Sequence, residues 1–334
     1  MATLHQQYID FNSKIALSDT RRESLKTSRR DLRIKIRKCF RDEHEDELQP
    51  RFGGQGSFMM NTIINPIPVY DHLGNKLIKY DLDDGIYFIE RPDESNQKTI
   101  ETWHDWVYES VDGHTNTPPE RHNACVRVIF ADGHHIDLPI YYKLEDQIEI
   151  AHRIDRWTIS DPKEFYQWFN QLKTKQLERI VRYFKAWKNF QESENSYLDL
   201  PNSLPLTILA ANNYVQNSND DTAFEKTARK MLDELSEFDG FKCLRPTTPE
   251  GEDLFAAYSA AKRSTFLTRL EELVIASEDA ATESNQRRAT EILRDQFGDR
   301  FPLGADTDDQ AKSQSLAAAL GGARITPVPF SVNE

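Results

Sequence analysis

Two carboxylates one residue apart, Asp81 and Asp83, open the run Asp81-Leu82-Asp83-Asp84-Gly85-Ile86-Tyr87. In an extended strand residues i and i+2 share a face, so the two acids project side by side. Neighbouring carboxylates repel unless a cation lies between them. Hard oxygen donors of this kind suit magnesium or manganese held together with substrate phosphates. A third acid, Asp137, sits in His134-His135-Ile136-Asp137-Leu138-Pro139-Ile140-Tyr141. There Ile136, Leu138 and Ile140 share one face and leave Asp137 with His135 on the other. A carboxylate on so apolar a strand calls for a partner. A zinc reading of the adjacent histidines fails, because strand neighbours point apart and no further ligand cluster follows. Ahead of both acids lies Gly53-Gly54-Gln55-Gly56-Ser57, leading into Phe58-Met59-Met60-Asn61-Thr62. Glycines let a backbone approach a phosphate, and a following helix start offers free N–H groups. Singly, each fragment reads as an ordinary acidic or glycine turn. In this order they supply what two-metal phosphoryl transfer requires: one ion for the attacking hydroxyl, one for the triphosphate and leaving pyrophosphate, and three carboxylates for the pair.

Several elements must position these groups. Leu25, Leu32, Ile36 and Phe40 recur at helical spacing and predict one long helix over 21–45, capped by Asp19 or Thr20. Pro50 and the glycines after it read as a break. Val69-Tyr70 and the stretch 77–80 flank Leu73-Gly74-Asn75 and predict a hairpin. Strands follow over 81–90, 125–130 and 135–142, the last two joined at Asp132-Gly133, with a helix at 102–110. Helical periodicity then takes over, in 163–189, 203–215, 222–238, 252–277 and 282–297, and Asp161-Pro162 is a start signal for the first. The composition shift near 155 predicts the domain boundary.

The motifs resemble the polymerase-β-like nucleotidyltransferases, marked by Gly-Ser, Asp-x-Asp and a distal Asp. More narrowly, the chain resembles the bacterial cGAS/DncV-like nucleotidyltransferases of antiphage signalling operons. That likeness rests on Arg51-Phe52-x-x-Gln55-Gly56-Ser57-Phe58, the Asp81–Tyr87 and His135–Tyr141 strings, Arg156-Trp157-x-x-Ser160-Asp161-Pro162, Phe184-Lys185-Ala186-Trp187 and Phe297-Gly298-Asp299-Arg300-Phe301. The resemblance implies an α+β fold: a palm with a mostly antiparallel or mixed sheet over 1–155, including the long N-terminal helix. A helical lobe over 156–305 closes the cleft, and a tail covers 306–334. It implies that Gln55, Gly56 and Ser57 contact the donor triphosphate, and that Asp81, Asp83 and Asp137 ligate magnesium or manganese. Lys185 and Ser203 would reach the triphosphate from the helical half, Ser160 and Asp161 would line the base pocket, and Arg127 would be a further phosphate ligand. ATP and a second NTP are the implied substrates, a cyclic di- or trinucleotide second messenger the implied product, and Asp137 the implied general base. An apparent extra hairpin around Gly74, and Met60 where some relatives carry an aromatic, depart from the pattern.

Composition bounds the alternatives. The chain has 334 residues, 29% of them charged, and a net charge of −13, which disfavours extended nucleic acid. Ten cations between Arg21 and Arg41 face only Glu23 and Asp31; a helix face tied to carboxylates of the same chain is favoured over a nucleic-acid site. Cys39, Cys125 and Cys243 form no CxxC pair, which excludes a disulfide framework and fits a reducing cytosol. No run approaches the roughly 18 apolar residues of a membrane span, and the N-terminus lacks an apolar signal core. A cytoplasmic monomer is expected. Operon-encoded regulatory or conjugating proteins are the implied partners, although Glu334 is not the small terminal residue such conjugation would suggest. The rivals are a nucleotidyltransferase with an RNA or protein acceptor, and a non-catalytic protein binding through its basic helix. The tail 306–334 reads as weakly packed, against an edge strand of Val328, Phe330 and Val332.

Overall fold

The computed structural model describes residues 3–70, 74, 76–91, 97–154 and 156–308. The strand expected over 328–332, the rest of the tail beyond Asp308, and Leu73 and Asn75 of the expected turn lie outside the described residues. In chain order the elements are α1 (His5–Ile15), α2 (Asp19–Glu43), β1 (Arg51–Gly54), α3 (Gly56–Met59), β2 (Val69–Tyr70), β3 (Lys76–Leu77), β4 (Asp81–Glu90) and α4 (Ile100–Val111). Then come β5 (Glu120–Arg121), β6 (Cys125–Ile129), β7 (His135–Leu144), β8 (Gln147–Ala151), β9 (Trp157–Ile159), α5 (Pro162–Leu172) and α6 (Lys175–Glu194). The helices α7 (Ser203–Asn212), α8 (Asp220–Ser236), α9 (Ala260–Thr282) and α10 (Gln286–Phe297) follow. Among the described residues no helix is long and apolar enough to cross a membrane.

The main sheet runs β1-β4-β7-β6-β5, with β8 against the C-terminal half of β7 and β9 against β8. The central pair β4–β7 is parallel, and the pairs around it are antiparallel, so the fold is α+β with a mixed sheet. The parallel ladder breaks between Asp83/Asp137 and Ile86/Ile140. Pro139 falls in that gap, where it has no N–H to give. β2 and β3 form the separate hairpin the sequence predicted.

Two apolar clusters build the core. One unites the sheet with α2 and α4 through residues such as Leu32, Phe40, Phe88, Trp103 and Ile136. The other unites α5–α10 and also takes in Tyr8 and Phe11 of α1. Phe11 packs on Phe297 and Phe301 with ring centroids 5.0 and 5.1 Å apart, so the Phe297–Phe301 motif anchors α10 onto the N-terminal helix.

Four local expectations are corrected. The cap of α2 is Ser18, whose hydroxyl accepts from Arg21 N at 3.4 Å, not Asp19 or Thr20. The single helix read over 163–189 is two, because Thr174 Oγ1 accepts from Leu177 N at 3.0 Å and restarts the helix as α6. Residues 252–259 are not helical: Asp253 Oδ1 takes the N–H groups of Cys243 and Phe255, and Ser259 caps α9. The glycine-rich break before Gln55 is a strand, β1, with Gly53 opposite Gly85 and Gly54 opposite Asp84.

Candidate active site

The parallel register sets Asp83 directly beside Asp137, with Asp81 two residues earlier on the same face of β4. One carboxylate oxygen from each lies within 4.8 Å of the other two. All three acids are half-buried. Burial, then the charges of Asp81 and Asp137, push the Asp83 carboxyl up to about 8, against the opposing pull of Lys185 and Arg127. Three hard oxygens converge on one point with more negative charge than the protein neutralises, which is the donor set of a magnesium or manganese seat. Among the described residues no other group of acidic, histidine or cysteine side chains converges in this way.

The chain ahead of β4 fits closely around this triad. Gln55 N donates to Asp83 O at 3.2 Å, which fastens the start of α3 to β4. Gly56 has φ +67°, the left-handed region. A Cβ built there would sit 2.0 Å from Asp83 Oδ2, so the position excludes side chains on both conformational and steric grounds. The Gln55 side chain is committed elsewhere: its Nε2 donates to Tyr141 Oη at 3.0 Å and its Oε1 accepts from Tyr87 Oη at 3.3 Å. The two tyrosine rings stack with centroids 4.7 Å apart. Gly85 makes room, since a Cβ there would stand 2.8 Å from Gln55 Oε1. Gln55 thus spends its side chain on the two tyrosines and lines the larger cavity beside Gly56 and Ser57.

The opposite wall comes from the helical half. Lys185, buried in α6, donates to Thr62 O and Thr62 Oγ1, each at 3.2 Å. Burial lowers its ammonium to about 8, with Arg182 pushing the same way and Asp81 and Asp83 opposing. Asn202 caps α7 through Leu204 N, which leaves Ser203 as the first helical residue. Two adjoining cavities, about 310 and 190 Å³, share Ser57, Asp81, Lys185 and Ser203. The larger also meets Asp83, Met60, Tyr141, Ser160, Phe165 and Arg245, with ring and aliphatic surface suited to a nucleobase. The smaller adds Lys79, suited to phosphates, and Lys188, which is paired with Glu192 of the same wall.

Of the residues expected to act, the structure brings together Asp81, Asp83, Asp137, Gln55, Gly56, Ser57, Ser160, Lys185 and Ser203. Asp161 does not line either cavity. Its Oδ1 accepts from Lys163 N and Glu164 N at 2.9 and 3.1 Å, so it is spent on capping α5. Arg127 faces Asp137 across β6–β7 and clasps it with two bonds, Nε to Oδ1 at 2.7 Å and Nη2 to Oδ2 at 2.8 Å. Its guanidinium is an anchor on the third acid rather than a free phosphate ligand. Sequence reasoning passed over Thr62, Tyr141, Phe165, Lys79, Lys188 and Arg245. Tyr141 alone carried a signal, as the aromatic two past Pro139 on the Asp137 strand.

The basic stripe of α2 is used within the chain. Arg33 pairs with buried Asp84, Nε to Oδ2 at 2.6 Å, on the side of β4 away from the triad. Arg22 and Arg29 lie over the Phe58 ring at 5.1 and 5.5 Å, and Arg33 and Arg37 over Phe52 at 5.2 and 4.7 Å. The stripe thus braces β1 and α3 from behind, through aromatic faces as much as carboxylates.

Residues 50–141 match the family described as cyclic GMP-AMP synthase DncV-like, nucleotidyltransferase domain. A cyclic GMP-AMP synthase of Escherichia albertii is 33% identical over 196 residues, covering 55% of this chain and 42% of that protein. The chain spans about half the length of the Escherichia relatives it matches. A cyclic AMP-AMP-AMP synthase of an Acinetobacter species is 22% identical over 95% of this chain and 91% of that one. The crystal structure of Vibrio cholerae DncV cyclic AMP-GMP synthase, in complex with nonhydrolyzable GTP, superposes with a TM-score of 0.75. It shares 21% identity over 90% of this chain and 97% of that chain.

Proposed function

We propose that this chain, a bacterial cGAS/DncV-like nucleotidyltransferase with that family's fold, joins NTPs into a cyclic di- or trinucleotide that serves as a second messenger in antiphage defence. The observation that carries the reading is the convergence of Asp81, Asp83 and Asp137 at the mouth of a cleft whose far wall supplies Lys185 and Ser203. Asp81, Asp83 and Asp137 would hold magnesium or manganese. Bound there, the ions would acidify the attacking hydroxyl and offset charge on the triphosphate.

The rest of the chemistry falls to the chain's own groups. The donor triphosphate lies along Ser57, Lys185 and Ser203, its tail toward Lys79 and Lys188, and its base enters the larger cavity against Tyr141 and Phe165. A ribose hydroxyl of the second NTP attacks the α-phosphorus, the bond to the β-phosphate breaks, and pyrophosphate leaves. The linear product then turns round and a second attack closes the ring. Each oxygen of Asp137 accepts one bond from Arg127 and keeps a second lone pair, so the acid can take the hydroxyl proton while Arg127 still holds it. The two-bond clasp of Arg127 fixes the orientation of that carboxylate. Two lobes divide the work, and the boundary expected near residue 155 is not a clean cut: β9 extends the palm sheet past it, and α1 packs with the helical lobe of α5–α10.

Incubation of the protein with the four NTPs and magnesium or manganese, followed by mass spectrometry and linkage-specific nuclease digestion, tests the reading. Cyclic oligonucleotides in the absence of any polymer support it. Label appearing only on added RNA or protein overturns it in favour of a transferase with a macromolecular acceptor. The net charge of −13 argues against RNA as that acceptor.

A further inference from the structure

The segment leaving α3 carries more polar contacts than a four-residue helix needs. Asn61 has φ +59°. Its Oδ1 accepts from Arg22 of α2 at 2.6 Å, its Nδ2 donates to Glu178 Oε2 of α6 at 3.0 Å, and its carbonyl accepts from Arg182. Thr62 comes next and is fully buried. Its N–H donates to Ser57 O at 2.9 Å, and its carbonyl and hydroxyl both accept from Lys185 Nζ at 3.2 Å. A lysine ammonium has three N–H donors. Thr62 takes two of them, leaving one for the cleft that Lys185 lines. Asp81 and Asp83 favour its charge only through space. Thr62 also ties, through its own N–H, the glycine-serine segment on the other side of the same cleft.

We propose that Thr62 is the positioning residue of Lys185: it holds the buried ammonium by two bonds, presents the third N–H to the donor's phosphates and fixes its distance from Ser57. The inference rests on reading the cleft as a donor-nucleotide site. Thr62→Val keeps the shape and removes the hydroxyl acceptor, so a buried charged donor loses one of two partners. Thr62→Ser keeps the acceptor. Thr62 lines neither cavity, and valine keeps its N–H bond to Ser57, so the lost hydroxyl can act on binding only through Lys185.

The test is equilibrium binding of a non-hydrolysable ATP analogue, with magnesium, to the full chain. The variants are Thr62→Val, Thr62→Ser, Lys185→Ala and the double variant Lys185→Ala/Thr62→Val, with a thermal melt for each. Thr62→Val is expected to weaken binding about tenfold, and Thr62→Ser to stay within about twofold of the parent. In the Lys185→Ala background the valine should add nothing, since coupled residues are non-additive. An equal loss in both backgrounds would make Thr62 merely structural and overturn the inference. So would unchanged affinity in Thr62→Val. If the valine variant does not fold, Thr62→Ala removes the same hydroxyl and is read against the same cycle. Failure of the parent protein to bind the analogue would instead overturn the donor-site reading, and this inference with it.

Discussion

The two walls of the cleft are built by different physics. On the palm side, Asp81, Asp83 and Asp137 are placed by backbone register: one strand supplies two acids by alternation, and a parallel neighbour brings the third level with them. Apart from Arg127 on Asp137 little holds their side chains, and burial with their mutual repulsion pushes the Asp83 carboxyl up. On the helical side Lys185 is placed by a buried side-chain network reaching 123 residues back along the sequence, to Thr62. The palm wall stores charge and awaits a cation. The helical wall is already satisfied and has one donor to spare. The acids that must gain a partner in the reaction are thus set by register, while the lysine that binds throughout is fixed beforehand by side-chain bonds.

That contrast orders the expected effects of mutation. Asp81→Asn with Asp83→Asn should abolish product, by more than about a thousandfold, since a metal-free transfer loses charge stabilisation worth several kcal/mol. The double variant should still melt cooperatively. Gly56→Ala should come next. The methyl would collide with Asp83 Oδ2 and the backbone is left-handed, so the triad and α3 must both shift. A loss of turnover of about a hundredfold is expected together with a lower melting temperature. Retained activity would show that α3 can move without disturbing Asp83.

How far these walls could be foreseen from sequence follows the same division. The Asp81–Glu90 strand and the pairing of two acids on one face were legible because alternation is a property of neighbours along the chain. The turn at Asp132-Gly133 was legible for the same reason. Helical periodicity found α2 but not its cap, because Ser18, Asp19 and Thr20 all suit the position. It also ran α5 and α6 together, since Phe165, Phe169, Leu177 and Phe184 keep the period across a two-residue break at Lys173 and Thr174. β8 and β9 went unseen as short strands after the apparent end of the sheet. The clasp of Arg127 on Asp137 and the hold of Thr62 on Lys185 depend on which surfaces meet in three dimensions, and no spacing along the chain announces them.

Smaller effects sharpen the comparison. Lys185→Ala should raise KM for the donor about tenfold or more with little change in kcat, because a lysine on the triphosphate favours ground and transition states alike. A collapse in kcat alone would show that it acts on the departing pyrophosphate. The pH dependence of stability in metal-free protein should also separate the walls. The Asp83 carboxyl is held near about 8 when folded, against an ordinary 3.8. Between these values the folded protein binds more protons than the unfolded chain, so stability should fall as pH rises from about 4 to about 8. Lys185 is lowered to about 8 from 10.5, so its penalty is present below pH 8 and is relieved between about 8 and 10.5. Thermal melts across pH should show the first decline flattened in Asp83→Asn, with the metal-free melting temperature near pH 7.5 raised by about 5 °C. An unchanged profile would mean that the triad shares no proton.

The most direct test of the divided cleft is the affinity for a non-hydrolysable ATP analogue with and without manganese, measured on the parent protein, Lys185→Ala and Asp83→Asn. The account predicts that Lys185→Ala weakens binding under both conditions. Asp83→Asn should bind about as well as the parent without metal below about pH 8, where the parent's carboxyl already holds its proton, and should gain little when manganese is added. A parent protein whose affinity ignores manganese, or an Asp83→Asn variant that loses metal-free binding as fully as Lys185→Ala does, would contradict it.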